Sequence, residues 1–342
     1  MKTLNIGLIG AGGINQVHAQ ALSKIEGARI TAIYNHNIER AISFNEQFNG
    51  RAAECFDDWE RMLTTRPLDA VYVALPPGAH VGQVELAAAK GMHLMLEKPI
   101  ALTLDRAQSI ATAARNANVL CQIGHHMRHC KPVRHLKQLI DDGTAGRPLF
   151  MQGRFFVNGM FPTWWRDPQL GGGQLVEQSI HLYDLARHFF GEAKAVSTFA
   201  DNLNHTRFAD YRVDDASASI IRFHNGGIAT LCATNLAEPG TSSIAFTVQC
   251  EKLSAEFESP QRATFAYHDG RTSEEAKQSA QAPRRELIED KQTGHEELSI
   301  NFITAIRDGS PLRSSIDDGV ESLRLVLAAA TSAREGGVLQ TL

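Results

Sequence analysis

The chain has no apolar run long enough to cross a bilayer, and the strand pattern that opens at Leu4 follows a single lysine rather than a signal-peptide core. A cytoplasmic location without membrane contact is therefore expected. Cysteine is sparse: Cys55, Cys121, Cys130, Cys232 and Cys250 are odd in number and show no CxxC spacing. Reduced, mostly buried thiols are expected rather than a disulfide framework. Charge of one sign is also lacking, since 34 Lys and Arg against 38 Asp and Glu leave a formal net charge of −4. That balance gives no basic field for a phosphate backbone, so nucleic acid is not expected as a partner. No internal repeat or low-complexity tract stands out. What remains is the composition of an ordinary globular protein, 43% hydrophobic and 21% charged. Its 342 residues exceed what one core usually organises, so two domains are expected.

From Leu4 to about Ile123, short apolar runs alternate with longer amphipathic stretches, the pattern of crossover units on a parallel sheet. Strands are expected at Leu4–Ile9, Ile30–Tyr34, Ala70–Leu75, His93–Leu96 and Val119–Ile123. Helices are expected near Ile14–Lys24, Ile38–Phe48, Asp58–Leu63, Val81–Lys90 and Leu104–Asn116. After a bridging helix around Pro132–Asp142 the pattern changes to longer strands at Leu149–Val157, Ala216–Phe223, Ile228–Thr234 and Ile244–Cys250. Asn225-Gly226-Gly227 between two of them signals a hairpin, hence an antiparallel sheet. One helix is expected at about Gln174–Phe190, and two more, near Glu296–Arg307 and Asp317–Arg334, close the chain. The polar stretch Ser259–Gly294 reads as loop and edge structure. The fold class is thus α/β. The chain divides into a doubly wound parallel domain of the Rossmann type over 1–123 and an α/β domain with a large, mainly antiparallel open sheet over 124–342.

Directly after the first strand stands Gly10-Ala11-Gly12-Gly13-Ile14-Asn15. In a dinucleotide turn Gly10 permits the tight bend, and Gly12 the approach of a pyrophosphate to amides at the positive helix end. The third fingerprint position is Asn15, not a small residue. A glycine-rich turn alone also fits a loop with no ligand, but its place at the first turn of a parallel domain favours a nucleotide. The second strand ends in Tyr34-Asn35-His36-Asn37 rather than in the acid that grips the NAD ribose. Asn35 can bond a ribose hydroxyl without repelling a 2′-phosphate, and His36 or Arg40 could attract one. Arg40 could equally be a solvated helix residue. NAD and NADP both stay open.

These residues, together with Leu75-Pro76-Pro77 and His80, Glu97-Lys98-Pro99, Gly171–Asp184, Asn301–Gly309 and Ser322–Glu335, resemble the glucose-fructose oxidoreductase/inositol dehydrogenase family, often written Gfo/Idh/MocA. The resemblance spans nearly the whole chain, and the Glu-Lys-Pro tripeptide is its specific part. It implies a Rossmann domain followed by an α/β domain of largely antiparallel sheet, a sugar, polyol or cyclitol substrate, and a homo-oligomer. It also implies a cofactor site drawing on Gly10, Gly12, Gly13, Ile14, Asn35, His36, Arg40, Pro76, His80, Glu97 and Lys98. By the same resemblance Lys98 reaches the nicotinamide ribose and the reacting hydroxyl, and Pro99 follows a cis peptide bond.

An ammonium beside a hydroxyl lowers the cost of alkoxide character. Lys98 is expected in that role, the bland alternative being a lysine at a strand end in solvent. Glu177 and His181 stand at i and i+4, on one face if the segment is helical. His181, with a reference pKa near 6.5, is the expected general base for the hydroxyl proton, and the alternative is a buried, satisfied histidine. Glu177 stands where the family typically has Asp, and is expected to orient His181 or hold a substrate hydroxyl. Asp184 could fix the imidazole or pair with Arg187 on the helix. Gly171-Gly172-Gly173 before this helix permits a ligand to approach closely, or serves as a flexible joint. Trp164, Trp165 and Arg166 form an expected substrate-lining loop, with core packing of one Trp equally open. Arg128 is expected to contact substrate by family position. Its surroundings, His125-His126-Met127-Arg128-His129-Cys130, lack the i, i+4 pair and acid of catalytic zinc, so no metal is expected.

The leading reading is hydride transfer between NAD(P) and a secondary alcohol or ketone, with Lys98 and His181 at one carbon. Two others compete with it: redox-neutral cleavage of glycosides by a bound nicotinamide, and a sensor that binds dinucleotide without turnover.

Overall fold

The computed structural model of the protein describes residues 3–272, 274–275 and 284–342. Two compact units share the chain, one built from Met1–His126 with Gly294–Leu323 and the other from Met127–Thr293 with Arg324–Leu342.

In the first unit β1 (Leu4–Ile9), β2 (Ala28–Tyr34), β3 (Glu54–Phe56), β4 (Ala70–Val73), β5 (His93–Leu96) and β6 (Cys121–Ile123) form a sheet of order β3-β2-β1-β4-β5-β6. All five strand pairs are parallel. The linking helices are α1 (Gly13–Ser23), α2 (Ile38–Asn49), α3 (Trp59–Thr65), α4 (Gln83–Ala89) and α5 (Leu104–Asn116). Helices on both faces explain why β4 is buried at every position, a continuous apolar run rather than an alternating one. Local chemistry starts three of the helices. The side chains of Asn37, Asp58 and Thr103 accept from amides of the first turns of α2, α3 and α5. The strand order reverses between β1 and β4, the place where doubly wound sheets bind ligands at their carboxyl ends. The short β3 was not among the expected strands, because three residues carry too little periodicity to stand out.

The second unit opens with α6 (Lys131–Asp141) and β7 (Pro148–Val157). A π-helical turn (Gln174–Gln178) then leads into α7 (Ile180–Phe190). The expected single helix over 174–190 is therefore two pieces of different winding. β8 (Ala193–Asp201), β9 (Ala216–Phe223), β10 (Ile228–Thr234), β11 (Ser242–Cys250), β12 (Leu253–Ser259), β13 (Arg262–Tyr267) and β14 (Arg284–Glu289) follow. Within the stretch 259–294, expected as loop and edge, β13 is a hydrogen-bonded strand and β14 forms the edge; residues 273 and 276–283 lie outside the described residues. The chain continues with α8 (Gly294–Asp308), α9 (Ile316–Arg334) and β15 (Gln340–Thr341). The nine-stranded sheet has the order β14-β13-β12-β11-β7-β10-β9-β8-β15 and is antiparallel except between β7 and β10. The β9–β10 hairpin turns through Asn225-Gly226-Gly227, where Gly226 takes φ +88° and the Asn225 side chain accepts from Gly227 N at 2.8 Å.

Placing the domain boundary after residue 123 assigns 294–323 to the second domain, whereas these residues pack with the first unit. The reason is hydrophobic: Leu298, Phe302 and Ile303 of α8 are buried with Leu22, Ile30, Tyr72 and Met95. All five cysteines are free thiols. Among the described residues, no helix is long and apolar enough to cross a membrane.

Candidate functional site

The turn between β1 and α1 is shaped by its glycines in different ways. Gly10 has φ +99°, and a Cβ there would lie 2.4 Å from the Ala74 carbonyl oxygen, so no other residue fits without displacement. Around Gly12 and Gly13 a Cβ would meet nothing within 4 Å, which leaves open space at the amino end of α1. Ile14 follows in the first turn of α1. Asn15 explains the departure from a small third residue: it is fully buried, and its amide donates to the carbonyls of Ile9 at 3.2 Å and Gly10 at 2.6 Å. The side chain thus ties the helix to the strand end that a small residue would let it approach. Open glycines, exposed amides and a positive helix end fit a dinucleotide pyrophosphate.

At the end of β2 the Asn35 side chain accepts from Asn37 N at 3.0 Å and is buried, while His36 and Arg40 are exposed. Pro76 begins a short 3-10 turn after β4, and His80 closes it. Burial pushes His80 down to about 4, partly opposed by the Ile100 backbone, so its ring is neutral near pH 7.

Glu97 and Lys98 follow β5, and the Lys98–Pro99 peptide is cis. Glu97 is buried, and its carboxylate accepts from His18 Nε2 at 2.8 Å and from Lys98 N at 3.2 Å. It lies so close over Gly124 that a Cβ there would sit 2.6 Å from Oε2. Burial alone raises its pKa, but the hydrogen bond from His18 and the charges of His18, His295 and Lys98 outweigh that and hold it below the ordinary carboxylate value. His18 packs edge-on to Tyr72 and His295, while His126 stacks on His295 at 3.9 Å. Burial takes His295 down to about 4, with Glu97 opposing. Neither His18 nor His295 was assigned a role from sequence. His18 sits one helical turn beyond Ile14, a spacing that could have marked it. His295 carries no local signal, because it arrives from the returning segment.

In the second unit Glu177 lies in the π-turn and His181 in the first turn of α7, so a regular i, i+4 relation does not connect them. Glu177 is half-buried between buried neighbours, and its Oε2 accepts from Trp165 Nε1 at 2.7 Å. His181 is buried, with its ring 6.3 Å from that of Phe155. The turn begins at Gly173, where φ is +76° and a Cβ would lie 2.4 Å from Val213 Cβ. Its Leu175 amide donates to Asp214 at 2.8 Å. Burial pushes Asp214 up to about 7, its own amide and that of Leu175 opposing and the Asp215 charge adding. Asp214 was not anticipated, since nothing local links it to residue 175.

Other expected substrate residues are engaged within the protein. Arg128 donates its guanidinium fork to Asp184 through two bonds of 2.8 Å, both residues being buried. Arg187, one of the expected partners of Asp184, pairs with Glu192. Arg166 is bound to the carbonyls of Met160 and Phe161 and to Asp210. Trp165 is a core residue at 2% exposure, whereas Trp164 is half-buried. Among the described residues no three His, Cys, Asp or Glu side chains gather as metal ligands.

Comparison with known proteins matches residues 4–125 to the oxidoreductase family with NAD-binding Rossmann fold, GFO/IDH/MocA, and residues 133–256 to the GFO/IDH/MocA C-terminal domain. D-apiose dehydrogenase of Paraburkholderia graminis is 25% identical over 99% of this chain and 90% of its own length. The NAD(+)-dependent scyllo-inositol 2-dehydrogenase of Bacillus subtilis is 25% identical over 97% and 95%. Levoglucosan dehydrogenase solved with NADH and L-sorbose superposes with a TM-score of 0.88 at 22% identity, covering 100% of this chain and 99% of that one.

Proposed function

Because this chain belongs to the NAD-binding GFO/IDH/MocA oxidoreductase family, we propose that it moves a hydride between a nicotinamide and a secondary alcohol or ketone of a sugar, polyol or cyclitol, with Lys98, His181 and Glu177 as the acting side chains. The observation that carries this reading is the bond from His18 to Glu97, which fixes the residue before Lys98 in the same unit as the open glycine turn. The nicotinamide, when bound, supplies or accepts the hydride. Gly10, Gly12, Gly13 and Ile14 receive the pyrophosphate, and Pro76, His80 and Glu97 shape the wall toward Lys98. Lys98 offers an ammonium to the substrate oxygen as alkoxide character develops. His181 takes the hydroxyl proton during oxidation and returns it during reduction. Glu177 holds a substrate hydroxyl. Trp164 extends the substrate surface, and Arg128 and Arg166 support it from their internal bonds.

Both dinucleotides suit the end of β2. The Asn35 side chain carries no charge to repel a 2′-phosphate, and His36 and Arg40 are exposed beside it. The named relatives set the first substrates to try: apiose, scyllo-inositol and levoglucosan. A dehydrogenase panel run in parallel with NAD and NADP should show turnover. Lys98→Ala and His181→Ala should each lower kcat by about a hundredfold or more, and the double variant by less than the product. Dinucleotide binding with no turnover on a broad polyol and keto-sugar panel would instead favour a sensor.

A homo-oligomer is part of the same proposal. Phe199 and Ile220, on the paired strands β8 and β9, are 66% and 59% exposed, an apolar face that a second subunit would cover.

A further inference from the structure

We infer that Trp165 is a positioning residue for the Glu177 carboxylate and not a platform for the sugar ring. The inference rests on the reading of Glu177 given above and adds the side chain that aims it.

An indole has one donor and no acceptor, so the 2.7 Å contact from Trp165 Nε1 to Glu177 Oε2 has a fixed polarity and selects a carboxylate oxygen. The ring itself is unable to present a face to a ligand. It is 2% exposed, stacks on Phe161 at 4.6 Å with 27° between planes, and packs with Tyr211 and Val213. Its backbone is equally confined, because the amide bonds to Pro162 O at 3.0 Å and a Cβ on Gly171 would stand 2.6 Å from Trp165 Cα. The donor is therefore rigid.

The acceptor is held from the other side. Leu175 N donates to Asp214 at 2.8 Å, and Ser179 Oγ at the end of the turn donates back to Leu175 O at 2.5 Å, so the π-turn that carries Glu177 is tethered to Asp214 and closed on itself. Glutamate has a long, rotamer-rich side chain whose immobilisation carries an entropic cost. A fixed indole N–H meets that cost before substrate arrives and leaves the carboxylate in one orientation. Positional errors of about 1 Å near reacting atoms lower rates by about a hundredfold, which gives the contact its leverage.

The test pairs a turnover measurement with one that needs no substrate. In the full-length protein the three tryptophans give three indole N–H signals by 15N NMR. The Trp165 signal, assigned by its loss in Trp165→Phe, should lie downfield and move upfield in Glu177→Leu. On the best substrate from the panel, Trp165→Phe should lower kcat by about ten- to a hundredfold with KM changed less than threefold. The same substitution added to Glu177→Leu should change kcat by less than about twofold. An unmoved indole signal in Glu177→Leu overturns the contact whether or not turnover is found. A raised KM with kcat intact overturns positioning in favour of a sugar platform, and an equal kcat loss in both backgrounds overturns it in favour of general packing. Full activity in Glu177→Leu with the indole signal shifted as expected shows the contact to be real, removes Glu177 from the chemistry, and leaves Trp165 nothing to position.

Discussion

Asp214 illustrates how one side chain can oppose the stability of the turn it holds. Its ordinary value near 3.8 rises to about 7 in the folded protein, chiefly by burial. Between those values the folded state keeps a proton that the unfolded state has released, so the stability tied to Asp214 is fully present below about 3.8 and is lost as pH rises through about 7. Asp214→Asn retains a carbonyl to accept from Leu175 N and does not titrate. Urea unfolding of the two proteins should therefore show the variant gaining on the native chain by about 2 kcal/mol from pH 4 to pH 7. That figure is about half of what the same rise in a fully enclosed carboxyl would give, because solvent reaches part of Asp214 and screens it. A difference independent of pH would show that the Asp214 carboxyl ionises normally. Arg128 and Asp184, both buried, meet in a bidentate bond.

Among the elements, α9 shows packing overruling propensity. Gly319 lies in this helix, where exchange for alanine ordinarily gains about 1 kcal/mol. Here the added Cβ would stand 2.6 Å from Ile123 Cγ1 and 3.4 Å from Ile123 Cβ, so the neighbour has no free end to swing away. Gly319→Ala should destabilise the protein by about 1–3 kcal/mol, read as a lowered unfolding midpoint, while a neutral or raised midpoint would mean that β6 yields to the helix. The π-turn before α7 belongs to the same scale. Apolar spacing from Gln174 to Phe190 reads as one helix because a π-turn changes the winding without altering composition. Its geometry is held by Asp214, from a part of the sequence 39 residues away.

For the whole molecule, the outward face of the nine-stranded sheet is the proposed subunit contact. The side chains of β9 alternate, with Ser217, Ser219, Ile221 and Phe223 inward and Ala218, Ile220 and Arg222 outward. Ile220→Asp places a charge on this outward face without touching the core. Light scattering should then report a lower mass than for the native chain, with the far-ultraviolet spectrum preserved. An unchanged mass would remove this face as the subunit contact.

The repeating strand and helix periods, the hairpin turn and the glycine bend at Gly10 were legible in sequence because each depends on residues within a few positions of one another. They determine a parallel α/β half followed by a mainly antiparallel sheet, and Glu97-Lys98-Pro99 marks the end of β5. Tertiary structure alone decided that α8 returns to the first unit, that His18 reaches Glu97 across 79 positions, and that Arg128 is taken by Asp184 across 56. It also decided that Trp165 faces a carboxylate instead of solvent. Such partners are chosen by burial, where a polar atom removed from water must find whichever complementary atom the fold brings within reach.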